Sequence, residues 1–73
     1  MKNKLVKLYK KTKDLEVKRN LLKFLNNKYI SLSLYSDSDY QTECMLMDLY
    51  TLYQGKLNMR YGRNYNSIIF ELI

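Results

Sequence analysis

Histidine is absent from this 73-residue chain, and cysteine occurs once, at position 44. Without imidazole, metal sites and catalytic triads that depend on histidine are excluded, and one cysteine alone cannot form a structural zinc site. A single cysteine also excludes an internal disulfide and is typical of a reducing compartment. The two glycines, Gly55 and Gly62, cannot form a glycine-rich phosphate loop. We therefore expect a binding protein and not an enzyme, with no cofactor and no bound metal.

Length and hydropathy limit the organisation of the chain. Seventy-three residues suffice for one domain, residues 1–73, near the size at which a single core is marginal. No apolar run is long enough to span a bilayer, and the basic N-terminal segment is not followed by the apolar core of a signal peptide. We expect the protein in the cytoplasm of its cell or host, without a membrane partner.

The chain is organised around residues 38–54, which predict a central helix. Ser38 precedes Gln41 by three residues, the spacing of a capping box. Gly55 follows the last apolar turn, where a residue without Cβ can adopt the left-handed conformation that ends a helix. Apolar residues occur nearly all round this helix, so it needs partners on more than one face.

Residues 3–28 carry two apolar faces that lie on opposite sides of a single helical projection. The first consists of Leu5, Leu8, Tyr9 and Thr12; the second consists of Leu15, Val17, Leu21, Leu22 and Leu25, with Phe24 at its margin. Either the helix breaks near Thr12–Asp14, with Asp14 as a new N-cap, or one long helix meets different partners. No glycine or proline marks a break, but we favour the two-helix interpretation.

Two segments, residues 30–35 and 57–61, alternate between apolar and polar residues, the pattern of half-buried strands. Residues 68–73 predict a third strand. Gly62 and Asn64 tolerate positive φ and predict the turn of a hairpin. The last strand is apolar on both faces, so we expect it either at the centre of its sheet or covered on both sides. The sequence thus predicts an α+β fold in the order α-(α)-β-α-β-β, with about three strands and a C-terminal hairpin packed on the central helix.

The net charge of +6 is unevenly distributed. Residues 1–28 hold ten Lys and Arg against Asp14 and Glu16, whereas residues 37–48 carry four carboxylates and no base. Basic groups on a helix and a hairpin tip, with tyrosines that could stack on bases, are typical of a nucleic-acid-binding surface. The candidate residues are Lys4, Lys7, Lys10, Lys11, Lys13, Arg60, Tyr61, Arg63 and Tyr65. The alternative is that the lysines form the normal solvated face of a helix.

The order of helix, strand, helical segment and two strands with a basic tip resembles a reduced winged-helix plan. A winged helix has two helices joined by a turn between its first strand and its wing. Residues 37–55 indicate one helix, with no internal glycine or turn cluster. The resemblance is one of topology, and no family is assigned from it.

The acidic residues Asp37, Asp39 and Glu43 have three interpretations. They could bind a divalent cation through oxygen ligands, or they could repel nucleic acid from that side and so orient it. More simply, they cap the central helix and stabilise its positive N-terminus, which is the interpretation we favour.

Cys44 lies on the helical face of Tyr40 and Met47, and we expect it to be a small core residue.

Eight tyrosines and four methionines are many large side chains for so small a domain. Tyr and Met are enriched at protein–protein contacts, and a homodimer would bury some of them. The candidate interface residues are Tyr9, Tyr29, Tyr35, Tyr50 and Tyr53. The alternative function is therefore a small inhibitor or adaptor that binds a host protein or complex, such as an acidic one. The bias to Lys, Asn, Tyr and Ile suggests an AT-rich genome, such as that of a phage, virus or mobile element.

Overall fold

The chain folds into three α-helices and one antiparallel three-stranded sheet in a computed structural model, which describes residues 1–73. In chain order the elements are α1 (Lys2–Lys11), α2 (Leu15–Asn27), β1 (Tyr29–Ser33), α3 (Asp37–Leu52), β2 (Leu57–Tyr61) and β3 (Ser67–Leu72), with a short 3₁₀ turn at Arg63–Tyr65. The predicted α+β class and element order are confirmed. The strand order is β1-β3-β2, so β3 is central, one of the two arrangements expected.

The N-terminal region consists of two helices, as favoured from the sequence. Thr12 leaves the helical conformation, and Asp14 caps α2 by accepting hydrogen bonds from the backbone N–H of Glu16 at 2.9 Å and of Val17 at 3.1 Å. The buried face of α2 was only partly predicted. It consists of Val17, Asn20, Leu21 and Phe24, whereas Leu15 and Leu22 are exposed. Phe24 is thus a core residue and not a marginal one.

α3 is the central helix, but its bounds, Asp37–Leu52, differ from the predicted residues 38–54. Its N-cap is Ser36, with no side-chain capping hydrogen bond, so the capping box predicted at Ser38 is wrong. The Ser36 and Ser38 hydroxyls instead lie 2.8 Å apart and bond to each other. The helix ends at Leu52 with Tyr53 as its C-cap, so the prediction that Gly55 ends it is wrong. Gly55 nevertheless has the left-handed conformation expected of it, with φ +90°.

One face of α3 packs against α2, β1 and β2. Its buried residues are Thr42, Leu46 and Leu49. Cys44 is exposed, so its prediction as a core residue is wrong, and Leu52 is exposed as well. A helix that is apolar nearly all round in sequence therefore buries a single stripe and leaves apolar side chains in solvent.

The sheet turns one face to the helices. Ile30 and Leu32 of β1, Leu57 of β2, and Ile68 and Phe70 of β3 are buried in the core. Because successive side chains of a strand alternate between faces, the opposite face carries the intervening residues. These are Tyr29, Ser31, Asn58, Arg60, Ile69 and Glu71, and the Cα pairing places them opposite one another. No helix is both long and apolar enough to cross a membrane.

The turn between β2 and β3 differs from the expectation for one of its two residues. Asn64 has φ 59°, as its tolerance of positive φ predicted, but Gly62 has φ −76° and Tyr65 takes the second positive value, 56°. Gly62 instead leaves room for the Ser67 hydroxyl, which would have to rotate away from a Cβ at this position. The glycine thus allows the close approach of Ser67, and a tyrosine carries the left-handed conformation.

Candidate nucleic-acid interface

α1 presents a continuous row of cations to solvent. At about 100° per residue, Lys4, Lys7, Lys10 and Lys11 span an arc of about 120°, opposite the buried Leu5. We call these four residues the lysine stripe. The molecule contains two ion pairs, Arg19–Glu16 and Arg60–Glu71, and neither involves a lysine. The ammonium groups of the stripe are therefore not neutralised by the protein's own carboxylates.

The helix dipole opposes part of this charge. The first turn of α1 contains Lys2 and Lys4 and no acidic residue, although the N-terminus of a helix favours negative charge. Lys10 and Lys11 in the last turn are favourable by the same rule. The helix dipole thus stabilises Lys10 and Lys11 at the end of α1 but disfavours Lys2 and Lys4 at its start.

Beside the stripe, α1 and the end of α3 enclose a shallow groove of about 220 Å³. Its lining combines cations with apolar groups: Lys4, Lys7, Leu8, Lys11, Leu49, Leu52 and Tyr53. The Lys4 Nζ lies 4.8 Å from the centre of the Tyr53 ring, a cation–π contact. Leu52 has 72% of its surface exposed, so the apolar part of the groove is open to solvent.

Lys13 lies apart from the stripe, in the connection between α1 and α2. It lines a depression together with Asp14, Asp48 and Tyr40. Two carboxylates share this depression, so the local field is less positive than along the stripe. Lys13 remains a candidate phosphate ligand on the sequence alone.

The structure separates two further candidates. Arg60 and Tyr61 are adjacent in β2 and point to opposite faces of the sheet. The Arg60 guanidinium pairs with Glu71 across the outer face, with Nε 3.2 Å from the carboxylate oxygen. Tyr61 lies near the hairpin tip, where its ring centre is 5.6 Å from that of Tyr65. Arg60 therefore belongs to the outer sheet face and not to the tip.

Tyr61, Arg63 and Tyr65 come together at the tip, and all three are exposed. The tip leads into β3 at Ser67, whereas Met1 and Lys2 line a cavity with Leu72 and Ile73 at the other end of that strand. The tip and the start of α1 thus lie at opposite ends of the sheet. The candidate residues form two surfaces, the lysine stripe and the hairpin tip.

The acidic start of α3 has a structural role that the sequence predicted only in outline. One Asp39 carboxylate oxygen accepts the backbone N–H of Ser33 at 2.9 Å, and the other accepts the Asn20 amide at 3.3 Å. Asn20 also donates to the Thr42 hydroxyl at 3.0 Å. This network joins α2, α3 and β1. The sequence does not predict that Asn20 is buried, because a polar residue in a helix is normally expected on the solvent-exposed face.

The exposed Cys44 interacts with Tyr40, which the sequence places on the same helical face. It raises the pKa of the Tyr40 phenol, first through a side-chain hydrogen bond and then through the charge of the thiolate. Partial desolvation and the Glu43 carboxylate act in the same direction. The two residues are four positions apart in α3, and this spacing brings their side chains together on one helical face.

The five interface tyrosines do not form one patch. Tyr9, Tyr50 and Tyr53 are half-buried and pack against the core, and the Lys18 Nζ lies 5.1 Å from the centre of the Tyr9 ring. Tyr29 and Tyr35 are exposed, one at the start of β1 and the other beyond its end. Their role at an interface stays a prediction.

No family model, curated protein or solved structure matches this chain.

Proposed function

We propose that this protein binds nucleic acid through the lysine stripe of α1. One observation carries the proposal: the stripe is exposed and no carboxylate of the protein neutralises it. Lys4 in the first turn, which the helix dipole disfavours, supports the same function. Its cation–π contact with Tyr53 offsets part of that cost.

The stripe fits a phosphate backbone in size and chemistry. From Lys4 to Lys11 the helix rises about 10 Å, at 1.5 Å per residue, which matches about three phosphates of one strand at 3.4 Å each. Each lysine that contacts a phosphate releases a condensed counterion, so affinity falls as salt rises. Three or four contacts give a slope of log K against log salt of about 3–4 for duplex DNA.

Charge-matched variants test this function. Lys7→Ala and Lys10→Ala remove stripe cations, whereas Lys23→Ala removes an exposed cation from α2. We expect each stripe variant to weaken binding of a short labelled oligonucleotide and to lower the salt slope by about one. Lys23→Ala should change both quantities less. Equal effects of all three variants would mean that net charge alone drives binding, and absence of binding at low salt would refute the function.

The groove beside the stripe favours a second candidate function, that of an inhibitor or adaptor of a protein partner. Its three lysines and its open leucine surface are complementary to an acidic amphipathic segment. Such a segment would place carboxylates on Lys4, Lys7 and Lys11 and apolar side chains on Leu52. Phosphates do not require the apolar part of this groove.

Leu52→Ala distinguishes the two candidates because it leaves every charge in place. Leu15→Ala is its matched control, since Leu15 is 71% exposed and lies on α2. An acidic protein partner bound in the groove should lose affinity with Leu52→Ala and not with Leu15→Ala. Nucleic acid should bind both variants equally well.

A homodimer is part of the proposal. It is supported by nine large apolar or aromatic residues that remain exposed in the single chain, Tyr29 and Tyr35 among them. Sedimentation at micromolar concentration tests it. A species of 8.9 kDa alone would exclude the dimer, and would leave these side chains available to another partner.

A further inference from the structure

The hairpin tip is fixed by its own backbone. The Gly62 N–H donates to the Ser67 carbonyl at 2.8 Å, and the Tyr65 N–H donates to the Gly62 carbonyl at 3.1 Å. Outside the turn, the Leu34 N–H donates to the Asn66 carbonyl at 3.0 Å and ties the tip to the end of β1. The backbone that carries the side chains of this tip is therefore held in place before any ligand arrives.

Tyr65 occupies this tip at a conformational cost. Its φ is 56° and follows the 59° of Asn64, so two successive residues are left-handed. Asn tolerates that conformation, but a bulky aromatic residue rarely adopts it. Strained residues of this kind cluster at functional sites, where the surrounding structure holds them in place.

Burial does not compensate for the strain. Tyr65 is 71% exposed and makes no contribution to the hydrophobic core. Its ring contacts Tyr61, with an interplanar angle of 52° between them. In such a tilted pair each ring keeps at least one face that the other ring does not cover, and the two tyrosines are 47% and 71% exposed. Arg63, between the two tyrosines in sequence, is exposed and belongs to neither of the two ion pairs.

We infer that the tip stacks the unpaired bases of a single-stranded nucleic acid, and this inference rests on the function proposed for α1. Two aromatic rings with free faces and an unpaired guanidinium combine base stacking with a phosphate contact, as proteins that bind single strands do. Bases inside a duplex already stack on their neighbours and cannot offer a free face. The lysine stripe would hold the backbone, and the tip would select unpaired bases.

Tyr65→Asn is the informative substitution. It removes the ring but keeps a residue that suits positive φ, so the turn is retained. We expect affinity for a labelled oligothymidylate to fall about 5- to 150-fold, the loss that corresponds to one stacked base. Affinity for a duplex of the same length should not change. Tyr65→Phe keeps the ring and should bind as the native protein does.

Tyr40→Asn is the matched control, because Tyr40 is an exposed tyrosine of α3 that is a candidate residue of none of the proposed binding surfaces. It should leave binding of the single strand unchanged. If Tyr65→Asn binds the oligothymidylate as well as the native protein does, or loses duplex affinity equally, the inference is wrong although binding through the stripe stands. If stripe variants and Tyr65→Asn both leave binding unchanged, the function proposed for α1 fails first. Circular dichroism of each variant confirms that it is folded.

Discussion

The side-chain amide of Asn20 donates a hydrogen bond to the Thr42 hydroxyl across 3.0 Å, and both residues are buried. This pair is the only buried polar contribution to a core that is otherwise apolar. The same amide reaches Asp39 at 3.3 Å, so α2 and α3 are held in one relative position. No buried side-chain N or O atom lacks a partner. The pair therefore specifies how the two helices pack, and does so without an unsatisfied group.

Thr42→Val should lower the free energy of unfolding by about 1–3 kcal/mol, because it leaves the buried Asn20 amide with one partner fewer. Asn20→Leu should have an effect of similar size. The double variant should lose less than the sum of the two, since replacing both partners by apolar groups of similar shape is close to neutral. Urea unfolding measures all three. Additive losses would show that the two side chains are not energetically coupled.

Leu46→Ala should cost about 2–5 kcal/mol, the range for a fully buried leucine. Leu49→Ala should fall in the same range, because Leu49 also lies on the buried stripe of α3. Leu52→Ala is the control on the same helix and should change stability little, since its side chain is exposed. Equal effects of Leu46→Ala and Leu52→Ala would contradict the placement of the core.

Much of this fold followed from local patterns. The apolar periodicity and Asp14 located the break between α1 and α2, because capping depends on a short-range hydrogen bond to the next turn. The alternation of Ile30 and Leu32 located β1, and the doubly apolar last strand was consistent with the central place of β3. Each of these features is decided within a few residues of the chain.

Properties that depend on distant packing were not predictable. Cys44 was expected in the core and is exposed, whereas Phe24 was expected at the margin of its apolar face and is buried. The buried face of a helix depends on where the neighbouring elements lie. The sequence shows the lysines of the stripe, but only the tertiary structure shows that they have no carboxylate partners. The left-handed conformation of Tyr65 could not be predicted either, since glycine and not tyrosine is expected at positive φ.

The two glycines give a further prediction. Gly55→Ala should destabilise the protein by about 1–2 kcal/mol, because φ is +90° there, although no atom lies within 4 Å of the added Cβ. Gly62→Ala adds a Cβ next to the Ser67 hydroxyl, which can rotate away, at an ordinary negative φ. It should therefore be the milder substitution. Thermal unfolding compares them, and a larger loss for Gly62→Ala would mean that Ser67 cannot move.

Tyr40 gives a prediction for alkaline pH. Its folded-state pKa is raised, with Cys44 as the main cause, so the phenol keeps its proton to higher pH than in the unfolded chain. Any stability from this proton is present below the ordinary tyrosine pKa, and is lost as pH rises through the folded value. Cys44→Ala should lower the Tyr40 pKa, as followed by NMR of the ring. Glu43→Gln should lower it less, and the reverse ranking would contradict the assigned cause.

Asn3→Glu should stabilise the protein and weaken its binding of nucleic acid. Asn3 is exposed in the first turn of α1, and its projected angle falls within the arc of the lysine stripe. A carboxylate there is favoured by the helix dipole and by Lys7 one turn later, together worth about 0.5–1.5 kcal/mol. The same carboxylate repels phosphates and neutralises part of the stripe. Asn3→Gln is the uncharged control and should change neither property appreciably. Urea unfolding and the salt dependence of oligonucleotide binding measure the two effects. A variant that gained stability yet bound nucleic acid as the native protein does would exclude α1 as the phosphate-binding surface, because no ligand backbone could then lie along it.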